Sequence, residues 1–172
     1  MSATGTESKP SPISGLGLFA TRTFAAGERI TAYSGGLLNT PPDVCTPGQP
    51  TYLLEIRPGV WLDGSTPENP ARHANHSCLP NSELILDTAA GHPWLVAFRA
   101  IVANEEITFD YGFSLAESLF HPCKCGTKDC VGRIIAAPLR PALRAGRASV
   151  WTSRLPVELP RHRPTRRRVT AH

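Results

Sequence analysis

A mainly β fold assembled from small curved sheets is predicted by three observations. Short runs rich in β-branched and aromatic residues recur at regular spacing between residues 13 and 111. Turn signals separate them, among them Ala26-Gly27, Gly35-Gly36 and Pro58-Gly59. Helical patterning is confined to one weak stretch at 114–120. Many short strands punctuated by Gly and Pro read as a β-rich fold.

In chain order, residues 1–12 read as a flexible lead-in, small, polar and Pro-tipped. Residues 29–33 read as a strand ended by Gly35-Gly36, and the Pro-, Thr- and Gly-rich stretch 38–50 as a loop. Strands follow at 52–56 and 60–62 around Pro58-Gly59. Residues 75–81 are polar and irregular, 83–86 a short strand, 94–100 a longer one, and 106–111 another. Residues 114–137 hold the weak helix and a compact Cys cluster. From 138 to 172 the chain is Arg-, Pro- and Ala-rich with little periodicity, hence weakly ordered.

The chain of 172 residues fits one domain with a core of its own. No apolar run approaches the roughly 20 residues a membrane span needs, so no membrane partner is expected. The polar N-terminus lacks the apolar centre of a secretory leader. With that, five cysteines, an odd count, point to thiols and metal in an intracellular protein rather than to disulfides. The expected compartment is the nucleus in a eukaryote and the cytoplasm otherwise. The net charge of +4 is uneven: from residue 140 onward there are nine Arg and one Glu, and the remainder is acidic. An acidic body suits a Lys/Arg-rich peptide by electrostatic steering, and is unlike a uniformly basic nucleic-acid binder.

Four segments carry chemistry. In Gly15-Leu16-Gly17-Leu18-Phe19-Ala20, two glycines two apart let backbone approach a ligand closely, although a plain turn reads the same way. In Asn75-His76-Ser77-Cys78-Leu79-Pro80-Asn81, beside Arg72, amides and an imidazole are dense enough to hold a polar small molecule; a loop of Asx turns is the alternative. In residues 105–113, Phe109, Tyr111 and Phe113 flank Asp110 and Gly112, which suits orienting an amine beside aromatic faces; a strand end with core aromatics is the alternative. Cys123, Cys125 and Cys130, in a C-x-C-x4-C spacing around Gly126, read as three ligands of a tetrahedral zinc site; reactive thiols are the alternative. Cys78, Cys45 or His121 could supply the fourth.

Taken in order, these motifs resemble those of SET-domain lysine methyltransferases with a post-SET zinc tail, over residues 13–135. The glycine segment is similar to the family's opening motif, and Tyr33-Ser34-Gly35 to its tyrosine-x-glycine motif. Residues 72–81 resemble the arginine-to-NHSCxPN signature, and residues 106–111 the closing motif that ends in Asp110-Tyr111. The resemblance implies a SET domain at 13–113 and a post-SET zinc segment at 114–137, with a pseudoknot formed by the two late motifs. S-adenosylmethionine would lie on one face and a substrate peptide in a groove on the other, joined by a narrow channel.

By the same resemblance, the backbone of Leu16, Gly17 and Leu18 borders the cofactor together with Arg72, Asn75, His76 and Tyr111. Tyr111 and Tyr33 serve catalysis, and Tyr33, Phe109 and Phe113 line the lysine channel. Cys78 completes the zinc site of Cys123, Cys125 and Cys130, leaving Cys45 over. Phe109, two residues before Tyr111, and Leu84 stand where some members carry tyrosine; their presence implies di- or trimethylation. The implied substrate is a basic protein tail, of which a histone is the family's example.

This chain departs from the family pattern in three ways. No Cys-rich segment precedes Gly15, the insert at 37–71 is short, and His73 replaces an aromatic. The runs Arg161-His162-Arg163 and Arg166-Arg167-Arg168 read as a nuclear address, a nucleic-acid contact or a solubilising tail. An inactive SET scaffold and a zinc-stabilised nucleic-acid binder are the competing readings.

Overall fold

The computed structural model describes residues 5–39, 52–87 and 92–144. Cys45, most of the 38–50 loop and most of the Arg-rich tail, including both Arg runs, lie outside these residues.

The described residues form three small sheets. The first has the order β1 (Thr6–Pro10), β2 (Leu16–Ala20), β10 (Glu106–Phe109) and β7 (Asn75–His76). The second runs β3 (Arg29–Ala32), β9 (His92–Ala97), β8 (Ser82–Asp87). The third runs β4 (Gly36–Leu38), β6 (Val60–Asp63), β5 (Leu53–Arg57). Strand β9 shows why the second sheet forms here: Pro93, Leu95 and Ala97 turn inward while the intervening residues stay partly exposed, a period of two. Leu18, Phe24, Leu95, Ile101 and Ile107 are fully buried in one core between the sheets.

Three expectations change. The lead-in at 1–12 carries strand β1, which pairs antiparallel with β2 from Thr6↔Ala20 to Pro10↔Leu16. Its residues are mostly exposed, so edge pairing rather than an apolar pattern makes the strand. The irregular stretch at 75–81 begins with the two-residue strand β7, set parallel to β10 with Thr108 opposite Asn75 and Phe109 opposite His76. The two late motifs therefore meet directly. Gly36, expected to end a strand, instead opens β4.

Gly35 is dictated by close approach, because a Cβ there would collide with the Asp63 carbonyl in β6. The weak helix is α1 (Leu115–Ser118), held by a reciprocal capping box between Ser114 and Glu117. After it the chain doubles back: the Cys123 N–H donates to the Gly132 carbonyl at 3.1 Å and the Ala136 N–H to the Phe113 carbonyl at 2.9 Å. A 3-10 turn, Ala137–Leu139, leads into α2 (Arg140–Arg144), a helical start to the segment expected to be weakly ordered. Among the described residues, no helix is long and apolar enough to cross a membrane.

Candidate functional site

Strands β2, β7 and β10 carry three of the sequence motifs, and their pairing brings those motifs to one place. Asn75 reaches across β10. Its Nδ2 lies 2.8 Å from Glu106 Oε1 and 3.1 Å each from Ser11 Oγ and the Ser14 and Leu16 carbonyls. That is more acceptors than an amide has hydrogens, so the side chain is fixed and pins the glycine segment to β10. Asn81 does the same job at the far end: its Nδ2 donates to Glu105 Oε1 at 2.9 Å and to the Glu106 carbonyl at 2.8 Å, while its Oδ1 accepts from the Thr108 N–H at 2.9 Å. Both asparagines are buried, which their hydrogen bonding permits.

Two clefts flank these motifs. The first, of about 570 Å3, is lined by Leu16, Arg72, Asn75, His76, Tyr33 and Phe113 among others. The second, of about 350 Å3, lies between the β8–β9 sheet, through Leu86, Pro93 and Phe98, and the C-terminal turn at Ala136, Ala137 and Pro138. Leu54, Leu84, Phe109 and Tyr111 line both and so form the partition between them. The ring centroids of Phe109 and Tyr111 are 4.9 Å apart, and Phe113 follows at 5.7 Å from Tyr111. Three aromatics at successive odd positions thus make one continuous wall.

The two tyrosines share a polarity. The Tyr111 hydroxyl donates to the Ala74 carbonyl at 3.1 Å and the Tyr33 hydroxyl to the Tyr52 carbonyl at 2.9 Å. Burial pushes both phenols well above their ordinary range, with neighbouring tyrosines adding to it, so both stay protonated. His76 is neutral. Burial is the main cause that lowers its pKa to about 4; Asp110 acts the other way and Arg140 adds to the lowering. Its Nδ1 accepts the Tyr111 N–H at 3.2 Å, which requires that neutral form.

Of the sequence-predicted site residues, the first cleft gathers Leu16, Tyr33, Arg72, Asn75, His76, Phe109, Tyr111 and Phe113. Gly17 and Leu18 are not in its wall. Pairing with Ile107 of β10 buries Leu18 completely, and a Cβ at Gly17 would meet Glu106 Oε1 at 2.5 Å, so both serve the sheet. Sequence reasoning missed Tyr52, Phe120 and Lys124, which also line the cleft, and weighed His121, another lining residue, only as a zinc ligand. Only the aromatic opening the 52–56 strand hinted at the first.

The cysteines converge as well. The Sγ atoms of Cys78, Cys123, Cys125 and Cys130 all lie within 4.8 Å of one another. Cys78 and Cys123 are 3.8 Å apart, the edge expected of a tetrahedron with Zn–S bonds of about 2.3 Å. Gly126 turns the cluster's loop at φ 66°. Burial pushes the Cys78 and Cys123 thiols up. It pushes on Cys125 too, but N–H and hydroxyl donors from Cys78 and Thr127 outweigh it and lower that thiol to about 6. Four thiols this close fit a divalent cation, which alone lets all of them ionise together.

Comparison with known proteins gives a consistent picture. The SET domain family model matches residues 15–112. "Histone-lysine N-methyltransferase trithorax" of Drosophila virilis is 35% identical over 128 residues, 70% of this chain and 3% of that protein. "Histone-lysine N-methyltransferase 2B" of Homo sapiens is 34% identical over 132 residues, 70% of this chain and 5% of that protein. "Histone-lysine N-methyltransferase ash1" of Drosophila melanogaster is 41% identical over 86 residues, 48% of this chain and 4% of that protein. The chain therefore spans only a few per cent of the length of these relatives.

Proposed function

The chain belongs to the SET-domain family, and on that premise we propose that it is a protein-lysine N-methyltransferase that uses S-adenosylmethionine and modifies a basic tail of the histone type. The observation that carries the reading is the shared partition, where Tyr111 and Phe109 face both clefts. A donor on one side and an amine on the other would meet there.

The first cleft suits the cofactor. Its volume falls in the range of small-molecule sites. Arg72 Nε is buried without a partner among the described residues, a donor open to a carboxylate. Leu16, Arg72, Asn75, His76 and Tyr111 would hold the cofactor, which supplies a methyl group on a sulfonium. Because Tyr33, on the first-cleft side, and Tyr111, at the partition, each give their proton to a backbone carbonyl, their oxygens are left to accept N–H bonds from an amine whose tip passes through the partition. The amine must arrive neutral despite a solution pKa of about 10.4, and the apolar partition of Leu54, Leu84 and Phe109 disfavours its charged form. What the residues supply is orientation and fixed dipoles, effects that can be worth several kcal/mol. Zinc on Cys78, Cys123, Cys125 and Cys130 would be structural, fixing the segment that carries Phe120 and His121 against the cleft. The relatives named for histone lysine methylation support the substrate class and a nuclear setting.

The test is transfer of labelled methyl from S-adenosylmethionine to core histones. Wild type labels a histone band, and Tyr111→Phe loses at least about two orders of magnitude of that rate while still binding cofactor. Loss of cofactor binding in wild type would sink the reading. The product is expected to be di- or trimethyl-lysine, since by the family resemblance phenylalanine at position 109 is the permissive residue. Phe109→Tyr then shifts the product to monomethyl-lysine by mass spectrometry, and a wild type that makes only monomethyl-lysine contradicts it.

A further inference from the structure

We infer that Arg140 is a positioning residue for Tyr111, acting through Asp110 and the Cys78 carbonyl; the inference rests on the methyltransferase reading above. Arg140 opens the Arg-rich part of the chain, yet it is only 7% exposed. A buried guanidinium is costly unless its donors are engaged. Here Nε donates to the Ile135 carbonyl at 3.1 Å, Nη1 donates to the Cys78 carbonyl at 2.7 Å, and Nη2 lies 2.8 Å from Asp110 Oδ2 as an ion pair without the alignment of a hydrogen bond. One planar fork thus joins the C-terminal turn, a member of the thiolate cluster and the residue before Tyr111, a geometry suited to Arg rather than Lys.

Asp110 passes the constraint on. Its Oδ2 also accepts the Ala137 N–H at 2.9 Å, and its Oδ1 accepts the Gly112 N–H at 3.0 Å. Oδ1 lies 3.6 Å from His76 Nδ1, which itself accepts the Tyr111 N–H. The tyrosine's backbone is therefore clasped from both sides by groups that Arg140 holds in register. The same contacts set Ala136, Ala137 and Pro138 as one wall of the second cleft. Without the guanidinium, Asp110 keeps a part-buried carboxylate with no cation beside it, and that wall loses its anchor.

Arg140→Met and Arg140→Lys of the 172-residue chain are compared with wild type. Four quantities are read: methyl transfer to core histones, S-adenosylmethionine affinity by calorimetry, zinc per chain, and amide hydrogen exchange at 110–112. Arg140→Met is expected to slow transfer about tenfold or more, as a small misplacement of a reacting group does. Cofactor Kd stays within about threefold, because Arg140 lines the second cleft and not the first, and reaches Tyr111 only through its backbone. Zinc is retained, and the Tyr111 and Gly112 amides exchange faster. Arg140→Lys keeps the charge but not the fork, and recovers part of the rate. Unchanged exchange at Tyr111 and Gly112 overturns the inference. So does an equal fall of transfer, cofactor affinity and zinc in both variants, which would mark a residue that merely supports the fold. Should Arg140→Met fail to fold, Arg140→Lys decides alone: slower transfer at unchanged cofactor affinity supports the inference, and wild-type transfer overturns it. If wild type itself transfers no methyl, the proposed activity fails and the exchange comparison still decides the role of Arg140.

Discussion

At the scale of single residues, the site depends on groups held in one protonation state. His76 is the clearest: as an acceptor for the Tyr111 N–H it must be neutral. Its pKa is lowered from 6.5 to about 4, so between those values the unfolded chain binds a proton that the folded one refuses. The stability this gives is complete above pH 6.5 and is lost as the pH falls through that window toward 4. Thermal melting of the full chain is expected to drop progressively below pH 6.5. The His76 ring protons, followed by NMR, stay in their neutral position until close to pH 4. Titration of that ring near 6.5 would contradict the assignment.

At the scale of elements, the structure explains a tyrosine-x-glycine motif that sequence alone could only compare. Tyr33 is buried under Gly64 and Gly35 runs against Asp63, so β4 and β6 close over the ring with no room for a side chain at either glycine. Gly35→Ala is expected to cost about 1–3 kcal/mol by overpacking, read as a lowered melting temperature. It also displaces the Tyr33 hydroxyl from the Tyr52 carbonyl. A melting curve like that of wild type would show that β6 yields without effort. Strand β9 was legible in the sequence as an apolar and aromatic run, although it spans His92–Ala97 rather than 94–100, and three members of the Cys cluster were legible because they fall within eight residues. Strand β1 was not, since Thr6–Pro10 has no apolar face and exists as a strand only by pairing with β2. Nor was β7, too short to carry a period and defined by its register with β10. Tyr52 and Arg140 escaped for a related reason: each owes its place to partners distant in sequence.

At the scale of the whole molecule, the cluster of four thiols draws the middle of the chain and the segment beyond α1 to a common centre. Cys78 follows the Asn75-His76 strand, and its three companions lie beyond α1. Stripping metal with a strong chelator is expected to lower the melting temperature and to expose the amides of residues 121–136 to exchange. Cys130→Ser does the same without chelator, because three thiols no longer satisfy a tetrahedral ion. Both treatments are also expected to abolish the proposed methyl transfer, since Phe120 and His121 belong to that segment and line the cleft. Retention of full activity by a zinc-free chain would separate the cluster from the site.

The pairing of β2 with β10 has a consequence for how the protein comes into being. Glu106 and Ile107 meet Phe19 and Leu18, so the sheet cannot close until nearly ninety further residues have been synthesised. Until then the early strand waits with its apolar side chains uncovered. Folding is governed by long loop closures rather than local preference, which places it in the slow, millisecond-to-second class of β topologies. During synthesis that apolar face stays open to misassociation until residues 106–107 have emerged.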